Sequence, residues 1–410
     1  MITTDRNSGL RMKRIETADL VNSRIRIADV VMLDEAIGKL KAIEGQDVWQ
    51  VQQRAHIRML LFLTGRTHEM LVELTDEARG IVIDAAGADG KFGGLEMYKA
   101  QRGLEDAWAR FFKGWQALFQ SLRREAASIP LGSLAFEHQR VLAGGEFAEA
   151  KSVHDYAFES QIQSVLDAAD QRIYQDGLQL SQRIWRLDQA SVGGIQQTLY
   201  AGVAQQKGAW DIAKALEQYL GAGRDCPRWT RSRLRLTKKE IAAGVKTGLI
   251  SGDACAGQGV AYNALRLARN ELQIVHGLAT DSAMAAMPWI EKERINLSPS
   301  HPIEDVCDTV VRGGEKGDGV YAKGTISLPI HVQCLCFKTS VQMSREEFTQ
   351  QLRDWMNGSQ PWPVMDQYAG FIGAEAGQGV SVSLANTLVL GALLKWAMGG
   401  WNDLNTDVEN

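Results

Sequence analysis

The sequence predicts a mainly α-helical protein with a small, irregular α+β module near residues 290–340. Apolar residues recur at spacings of three and four along several long stretches, which is the period of one helix face. A glycine-rich break interrupts this pattern at residues 85–94. Three of the five cysteines and two of the seven histidines lie within residues 298–337, so we expect a Cys/His cluster in the module.

Length and composition are those of a globular protein with a sizeable core. The chain has 410 residues, of which 45% are hydrophobic and 23% charged, and its formal net charge is −4. This length allows two or three domains, and this charge excludes a surface that is basic all over, as in a protein that coats nucleic acid. Cysteines concentrated in one region favour a reducing compartment over a secreted disulfide scaffold. The first residues lack the apolar core of a signal peptide.

Residues 1–148 predict a helical N-terminal domain, in which residues 1–30 form an extended arm. Helical periodicity runs from about Leu33 to Leu74, up to the glycine-rich break. A second helix is predicted from Leu104 to Arg124, with a heavily aromatic face. That face consists of Trp108, Phe111, Phe112, Trp115, Phe119 and Leu122. It predicts a core face, with a partner interface as the alternative.

The segment Pro130-Leu-Gly132 predicts the end of this helical region, with a domain boundary between about residues 130 and 150. A second domain is then predicted over residues 149–344. Its apolar stripes end near Gly208 and Gly221, and a long helix is expected from Gln258 to Ala286. Charged residues on this long helix, Arg266, Arg269 and Glu271, are expected to form surface salt bridges.

A basic connection lies between Arg224 and Lys239, with Trp229 in its middle. Clustered positive charge beside an aromatic ring can meet nucleic-acid phosphates. The candidate nucleic-acid-binding residues are Arg228, Arg231, Arg233 and Arg235. The alternative is a solvated surface loop.

Residues 345–410 predict a C-terminal helix followed by an apolar tail. The sequence Ser344-Arg-Glu-Glu347 is typical of a capping box, which opens a short helix that ends at Gly358. Residues 360–363 predict a rigid extended linker. Polar residues and a lysine interrupt the apolar stretch 380–401, which favours a buried or partner-docked helix over a membrane span.

Two clusters of metal-ligand types define the module: His301-x5-Cys307 and His331-x2-Cys334-x-Cys336. Thiolates beside imidazoles are the ligands that tetrahedral zinc prefers. The loop between the clusters contains five glycines, so it can fold back and bring them together: Gly313, Gly314, Gly317, Gly319 and Gly324. The alternative is a chance grouping of buried thiols, since cysteine is among the most buried residue types.

Whether such a metal would be structural or catalytic depends on its coordination. Cys307, His331, Cys334 and Cys336 can close a tetrahedron by themselves, which favours a structural site. His301, Asp305 and Asp308 lie near enough in sequence to supply a fourth ligand or a general base, which leaves a zinc hydrolase or nuclease open. No phosphate-binding loop, dinucleotide fingerprint, nucleophile elbow or HExxH occurs in the sequence.

From Leu178 to Phe337 the order of motifs resembles the phage head morphogenesis family, the Mu F-like minor head proteins. Leu265-Arg-Leu-Ala-Arg-Asn-Glu271 is similar to the family's Arg-Thr-Glu helix, with Asn270 in place of the Thr. Leu328-Pro-Ile-His-Val-Gln-Cys-Leu-Cys336 is similar to its terminal Pro-His-Pro-x-Cys-x-Cys signature, with Val332 in place of a Pro. The resemblance covers roughly 160 residues of the chain.

This resemblance implies a structural minor capsid protein of the virion rather than an enzyme. Such a protein is expected inside the capsid near the portal vertex after synthesis in the host cytoplasm, with a role in head assembly, DNA packaging or DNA ejection. The implied partners are the portal protein, the major capsid protein and packaged double-stranded DNA. A membrane-active ejection protein with residues 384–401 as the inserting segment is a third possibility, but a membrane is not expected among the partners.

Overall fold

The computed structural model of the chain describes residues 48–86, 90, 92–142, 151–220, 260–298, 301, 304–331 and 334–368. Within these ranges the protein is mostly helical and contains one small antiparallel sheet, so the predicted fold class is confirmed. The predicted arm, the basic connection with its four candidate arginines and the apolar tail lie outside the described residues. None of the described helices is both long and apolar enough to cross a membrane.

Six helices of the described chain precede the sheet. They are α1 (Val48–Ala85), α2 (Gly94–Leu142), α3 (Lys151–Gln171), α4 (Leu180–Ala204), α5 (Ala209–Leu220) and α6 (Val260–Ala286). The remaining elements are β1 (Ile290–Asn296), α7 (Val306–Val311), β2 (Val320–Ala322), β3 (Phe337–Gln342) and α8 (Arg345–Met356). The glycine-rich break between α1 and α2 and the predicted start and end of α6 agree with these bounds to within a few residues.

The described chain divides into two compact units, each assembled from separate segments. The first unit contains Ile57–Leu122 and the described part of Ile173–Arg269. The second unit contains α1 as far as His56, Arg123–Arg172 and the described residues from Asn270 onward. The consecutive domains 1–148, 149–344 and 345–410 stay a prediction, and the two units cut across their boundaries.

The first unit is built around a row of aromatic rings on α2. Trp108 stacks on Phe112, Phe112 on Trp115 and Trp115 on Phe119, with ring centroids 5.5, 5.7 and 5.5 Å apart. All these rings are buried, as are Phe111 and Leu122. The prediction of a core face is therefore confirmed. At one end of the row the indole N–H of Trp108 donates to Asp188 Oδ1 at 2.7 Å.

Helices α4 and α5 pack closely within the same unit. All five apolar positions of the α5 stripe are buried: Ala209, Ile212, Ala213, Leu216 and Leu220. A Cβ on Gly202 would lie 2.5 Å from Ile212 Cγ1, so only glycine permits this approach of the two helices. The stripes predicted to end near Gly208 and Gly221 are therefore helices that pack against one another.

The second helix is longer than the predicted Leu104–Arg124, and the predicted end of the helical region at Pro130-Leu-Gly132 is wrong, because α2 continues through Pro130 to Leu142. A proline inside a helix removes one backbone hydrogen bond and costs about 3 kcal/mol. Ala126, Ala127 and Leu131 are fully buried on either side of it. Burial of these residues stabilises the continuous helix. The proline is a local signal, and it carries no information about burial by segments distant in sequence.

The expectation of surface salt bridges on α6 is wrong for Arg269 and Glu271, because both residues are buried. Arg269 donates to Thr64 Oγ1 at 2.7 Å within the first unit. In the second unit every residue from 271 to 277 is buried, so α6 is covered on nearly all sides there. Apolar periodicity, which predicted this helix, identifies only one side of it.

The second unit contains a three-stranded sheet with the order β2-β1-β3, antiparallel throughout. A bulge between Ile290 and Lys292 interrupts the pairing of β1 with β3. Because of the bulge, Ile290 is buried although Glu293 and Ile295 set the inward alternation further along the strand. A charged residue, Glu293, therefore lies on the inner face of the central strand.

Helix α8 follows the sheet as predicted. Ser344 Oγ accepts from the Glu347 backbone N–H, and Glu347 accepts from the Ser344 backbone N–H in return. The chain leaves the helix through Gly358 at a φ of 69°. The predicted linker at 360–363 is wrong in part, because Trp362 is buried and its ring lies 5.6 Å from that of Phe348.

Candidate metal centre

Cys307 is positioned by the start of α7. Asp305 is the N-cap of this helix, and its Oδ1 accepts from the Cys307 backbone N–H at 2.7 Å. The Asp308 carboxylate accepts from the Asp305 backbone N–H at 2.9 Å, which completes a capping box. The two carboxylates hold the first turn of the helix, and with it the Cys307 thiol, in one orientation.

Cys334 and Cys336 lie directly before strand β3. The Leu335 backbone carbonyl accepts from Gln53 Nε2 at 3.1 Å, and the Cys336 carbonyl accepts from Gln273 Nε2 at 3.4 Å. Helix α6 comes so close that a Cβ on Gly277 would lie 2.5 Å from the Leu328 carbonyl oxygen. The two hydrogen bonds therefore fix residues 334–336 before the chain enters the sheet, and helix α6 packs closely on the chain at Leu328.

The three thiols meet in one buried cluster. Cys307, Cys334 and Cys336 are at most 2% exposed and pack with Leu328, Leu297 and Ile330. Their sulfur atoms all lie within 4.8 Å of one another, and this cluster can hold a metal ion. The Cys307 and Cys334 sulfurs are 3.7 Å apart, whereas a disulfide would require about 2.05 Å.

The electrostatics of the cluster favour a thiolate on Cys334. Hydrogen bonds from Cys307 and then Cys336 lower the pKa of Cys334 far below its usual range. The hydrogen bonds with Cys334 and Cys336, together with burial, raise the pKa of Cys307. For Cys336 the hydrogen bond with Cys307 lowers the pKa, but the contact with Cys334 and burial raise it more, to about 12. Thiolate is the form in which cysteine binds metals.

A row of imidazoles and carboxylates adjoins the sulfurs. His331 Nε2 lies 3.2 Å from Asp305 Oδ2, and Asp305, Cys307 and His331 together offer ligand atoms within 4.8 Å. His301 Nε2 lies 2.8 Å from Asp308 Oδ2 and 3.7 Å from Asp305 Oδ1. The backbone N–H of Asp305 and the His301 side chain lower the pKa of Asp308.

The glycine-containing loop brings the two halves of the site together as predicted. Gly314, Gly317, Gly319 and Gly324 have positive φ between 69° and 85°. A Cβ on Gly314 would lie 2.3 Å from the Val320 carbonyl oxygen, and a Cβ on Gly319 would lie 2.8 Å from that of Val311. Only glycine fits these turns, which lead the chain from α7 back to the sheet.

The structure therefore groups the predicted ligands unequally. Cys307, Cys334 and Cys336 form one cluster, and His331 adjoins it through Cys307. Among the described residues His301 belongs to a different group, with Asp305 and Asp308, and is not grouped with the sulfurs. His331 is thus better placed than His301 to complete the ligand set.

Sequence reasoning missed two buried polar groups in the second unit. Lys338 contacts both Glu293 and Asp281. The rings of His56 and His276 lie 4.1 Å apart, and His56 Nε2 is 2.6 Å from Gln273 Oε1. Charged residues are normally exposed, so nothing in the sequence marks Glu293 or Lys338 as buried.

Comparison with known proteins gives no relative for this chain. A scan against protein-family models finds no match, and searches of the curated proteins and of the solved structures find none either.

Proposed function

We propose that the chain is a structural minor head protein of a tailed phage and that a zinc ion fixes its Cys/His module. The ligands in this proposal are Cys307, Cys334, Cys336 and His331. The observation that carries the metal proposal is the 3.7 Å separation of the Cys307 and Cys334 sulfurs in a fully buried cluster. Two thiolates at about 2.3 Å from a tetrahedral zinc ion lie roughly 3.8 Å apart.

The chemistry of the donors supports a structural ion. Three thiolates with one imidazole make a closed tetrahedral set, with no position left for water or substrate. Asp305 Oδ2, 3.2 Å from His331 Nε2, is placed to orient the imidazole, as carboxylates commonly do for zinc-bound histidines. Burial of all three sulfurs also restricts access by solvent. These features support stabilisation rather than catalysis.

The head-protein assignment is supported by the order of motifs between Leu178 and Phe337 and by the mainly helical composition with a small Cys/His module. The proposed location is the inside of the capsid at the portal vertex. The proposed partners are the portal protein, the major capsid protein and packaged DNA. The protein would act there in head assembly, DNA packaging or DNA ejection.

Metal analysis of the purified protein tests the zinc proposal. We expect one zinc per chain by plasma mass spectrometry, and loss of that zinc in Cys334→Ser and in Cys336→Ser. Cys255→Ser is the matched control, since this cysteine lies outside residues 298–337, and it should retain the metal. A parent protein that is folded but metal-free after purification in zinc-supplemented medium would contradict the proposal.

The head assignment has its own test. Co-expression with the portal protein and major capsid protein of the same phage should yield heads that contain this chain at low copy, and electron cryomicroscopy should locate it at the portal vertex. Heads without the chain, or a chain spread uniformly over the shell, would contradict the assignment without affecting the zinc proposal.

One observation favours a second candidate, a zinc-dependent hydrolase or nuclease. His301, Asp305 and Asp308 form a group of potential ligands or bases beside the thiol cluster. Incubation of the purified protein with double-stranded DNA and Zn²⁺ or Mg²⁺ separates the candidates, because a structural site gives no cleavage. Cleavage that is abolished by Asp308→Asn would support the enzyme.

A further inference from the structure

A buried lysine lies between two carboxylates where β1, β3 and α6 meet. The side chain of Lys338 is 0% exposed, and its Nζ lies 2.9 Å from Glu293 Oε2, which is also 0% exposed. The same Nζ contacts Asp281 Oδ1 on α6. Ile295 pairs with Lys338 across the sheet and Glu293 pairs with Ser340, so Glu293 and Lys338 are diagonal neighbours on one face.

The two carboxylates differ in their surroundings. Glu293 accepts backbone N–H hydrogen bonds on both oxygens, from Gly324 at 3.0 Å and from Ile326 at 2.9 Å. The structure gives Asp281 a side-chain hydrogen bond with Lys338. Burial, and to a smaller extent the charge of Glu293, raise the pKa of Asp281 although Lys338 opposes the shift. Two carboxylates and one ammonium carry a net charge of −1, so protonation of one carboxyl is the natural compensation in a buried site.

The contact between a lysine and a carboxyl group, with a second carboxylate beside them, provides the reactants and a proton acceptor for an amide bond. We propose that Lys338 and Asp281 join in an intramolecular isopeptide bond, with Glu293 as the catalytic proton acceptor. This proposal does not depend on the metal or on the role in a phage head.

The step balances without any outside reagent. Glu293 takes a proton from the Lys338 ammonium, and the neutral Nζ attacks Cγ of the protonated Asp281 carboxyl. The Nζ–Cγ bond forms, the Cγ–OH bond breaks, and Glu293 returns its proton to the leaving hydroxyl as water. The second proton of Nζ passes to the Glu293 carboxylate as the amide forms, so the products are the amide, one water and a protonated Glu293. A cavity of about 10 Å³ lined by Lys338, Gln273 and Thr280 is close to the size that one water needs.

The product would close a covalent loop from α6 to β3. Asp281 and Lys338 are 57 positions apart, and Cys307, Cys334 and Cys336 all lie on or within that loop. A cross-link that closes a loop removes conformational freedom from the unfolded chain. The bond would therefore stabilise the same segment that the thiol cluster closes, by an independent means.

Mass spectrometry of the full-length protein tests the proposal. The denatured parent should weigh one water less than its sequence requires. After trypsin, residues 270–292 and 324–345 should appear as one branched species, because cleavage after Lys338 is blocked. Lys338→Arg and Glu293→Gln should both have the full mass of their sequences, with linear peptides.

Two variants keep the test independent of misfolding. Asp281→Asn should give the same cross-linked product with loss of ammonia, so its mass should equal that of the parent. Lys323→Arg is the matched control, since Lys323 Nζ donates to backbone carbonyls at the end of α6 and not to these carboxylates. It should keep the mass deficit. A parent with full mass and only linear peptides over residues 270–345 would overturn the proposal.

Discussion

The first unit buries a continuous aromatic row, whereas the second unit buries thiols, imidazoles and charges. In the first unit the rings from Trp108 to Phe119 provide the core with few polar requirements. In the second unit a three-stranded sheet encloses Lys338 and Glu293, and the thiol cluster closes the loop beside it. The first core depends on buried apolar area, which many sequences can supply. The second depends on particular hydrogen-bond and ion-pair partners for its buried polar groups.

The largest effect that this difference predicts comes from removal of the proposed zinc ion. Structural zinc in small modules contributes on the order of 10 kcal/mol, which is comparable to the whole stability of a domain. Chelation should therefore increase hydrogen exchange in residues 304–331 and 334–342, while α2 between residues 104 and 122 keeps its protection. Equal loss of hydrogen-exchange protection in the module and in α2 would contradict the proposal that zinc stabilises the second unit alone. Cys255→Ser treated in the same way serves as the control.

Truncation of the aromatic row should destabilise the first unit and leave the thiol cluster intact. Trp115 is fully buried and stacked between Phe112 and Phe119. Trp115→Ala should lower the free energy of unfolding of the first unit by about 3–5 kcal/mol through lost contacts and a cavity. Urea unfolding followed by hydrogen exchange measures this loss, and metal content should stay unchanged. Trp185→Ala is the control, because Trp185 is 62% exposed and its removal should have little effect.

Acid should weaken the second unit through the His56–His276 pair. Burial lowers the pKa of His56 from 6.5 to about 4, although the Gln273 hydrogen bond opposes the shift. Burial and then the nearby His56 lower the pKa of His276 in the same direction. The unfolded chain therefore binds more protons between pH 6.5 and 4. Stability is fully present above pH 6.5 and falls as the pH drops through this range, by about 3 kcal/mol for His56.

Urea unfolding at a series of pH values measures this effect. His56→Gln should reduce the slope between pH 6.5 and 4, because one of the two titrating imidazoles is gone. The same slope in the parent and the variant would contradict the assignment to His56.

The smallest predicted effect concerns the cap of α8. Ser344 Oγ accepts from the Glu347 backbone N–H at 3.2 Å. Ser344→Ala should destabilise this helix by about 1 kcal/mol because one backbone donor loses its partner. Ser344→Asp keeps an acceptor at the N-cap and should preserve stability. Thermal unfolding of the two variants and of the parent measures these differences in stability.

The helices were predictable where one apolar face meets one core. The stripe on α5 and the aromatic face of α2 follow the helical period, and every predicted member is buried. Prediction failed at Pro130, since a local helix breaker is outweighed by burial on both sides of it. It failed also at Glu271, since the middle of α6 is covered on nearly all sides and a charged residue there cannot be identified from periodicity.

The candidate site was predictable in its residue types and only partly in its geometry. The clustering of Cys307, Cys334 and Cys336 follows from their proximity in sequence and from the glycines that reverse the chain. The preference for His331 over His301 does not follow, because it depends on how Asp305 and Asp308 cap α7. The Lys338–Glu293–Asp281 contact depends on strand register, which no spacing in the sequence gives.

By itself the sequence determined the helical class, the aromatic core of the first unit and the concentration of metal-ligand residues between 298 and 337. These properties are local, because periodicity and composition act over neighbouring residues. Only the tertiary structure decided that His331 rather than His301 adjoins the thiols, that a lysine is buried between two carboxylates, and that segments distant in sequence form each unit. These depend on register and packing between distant segments, where the free energy of burial outweighs local preference.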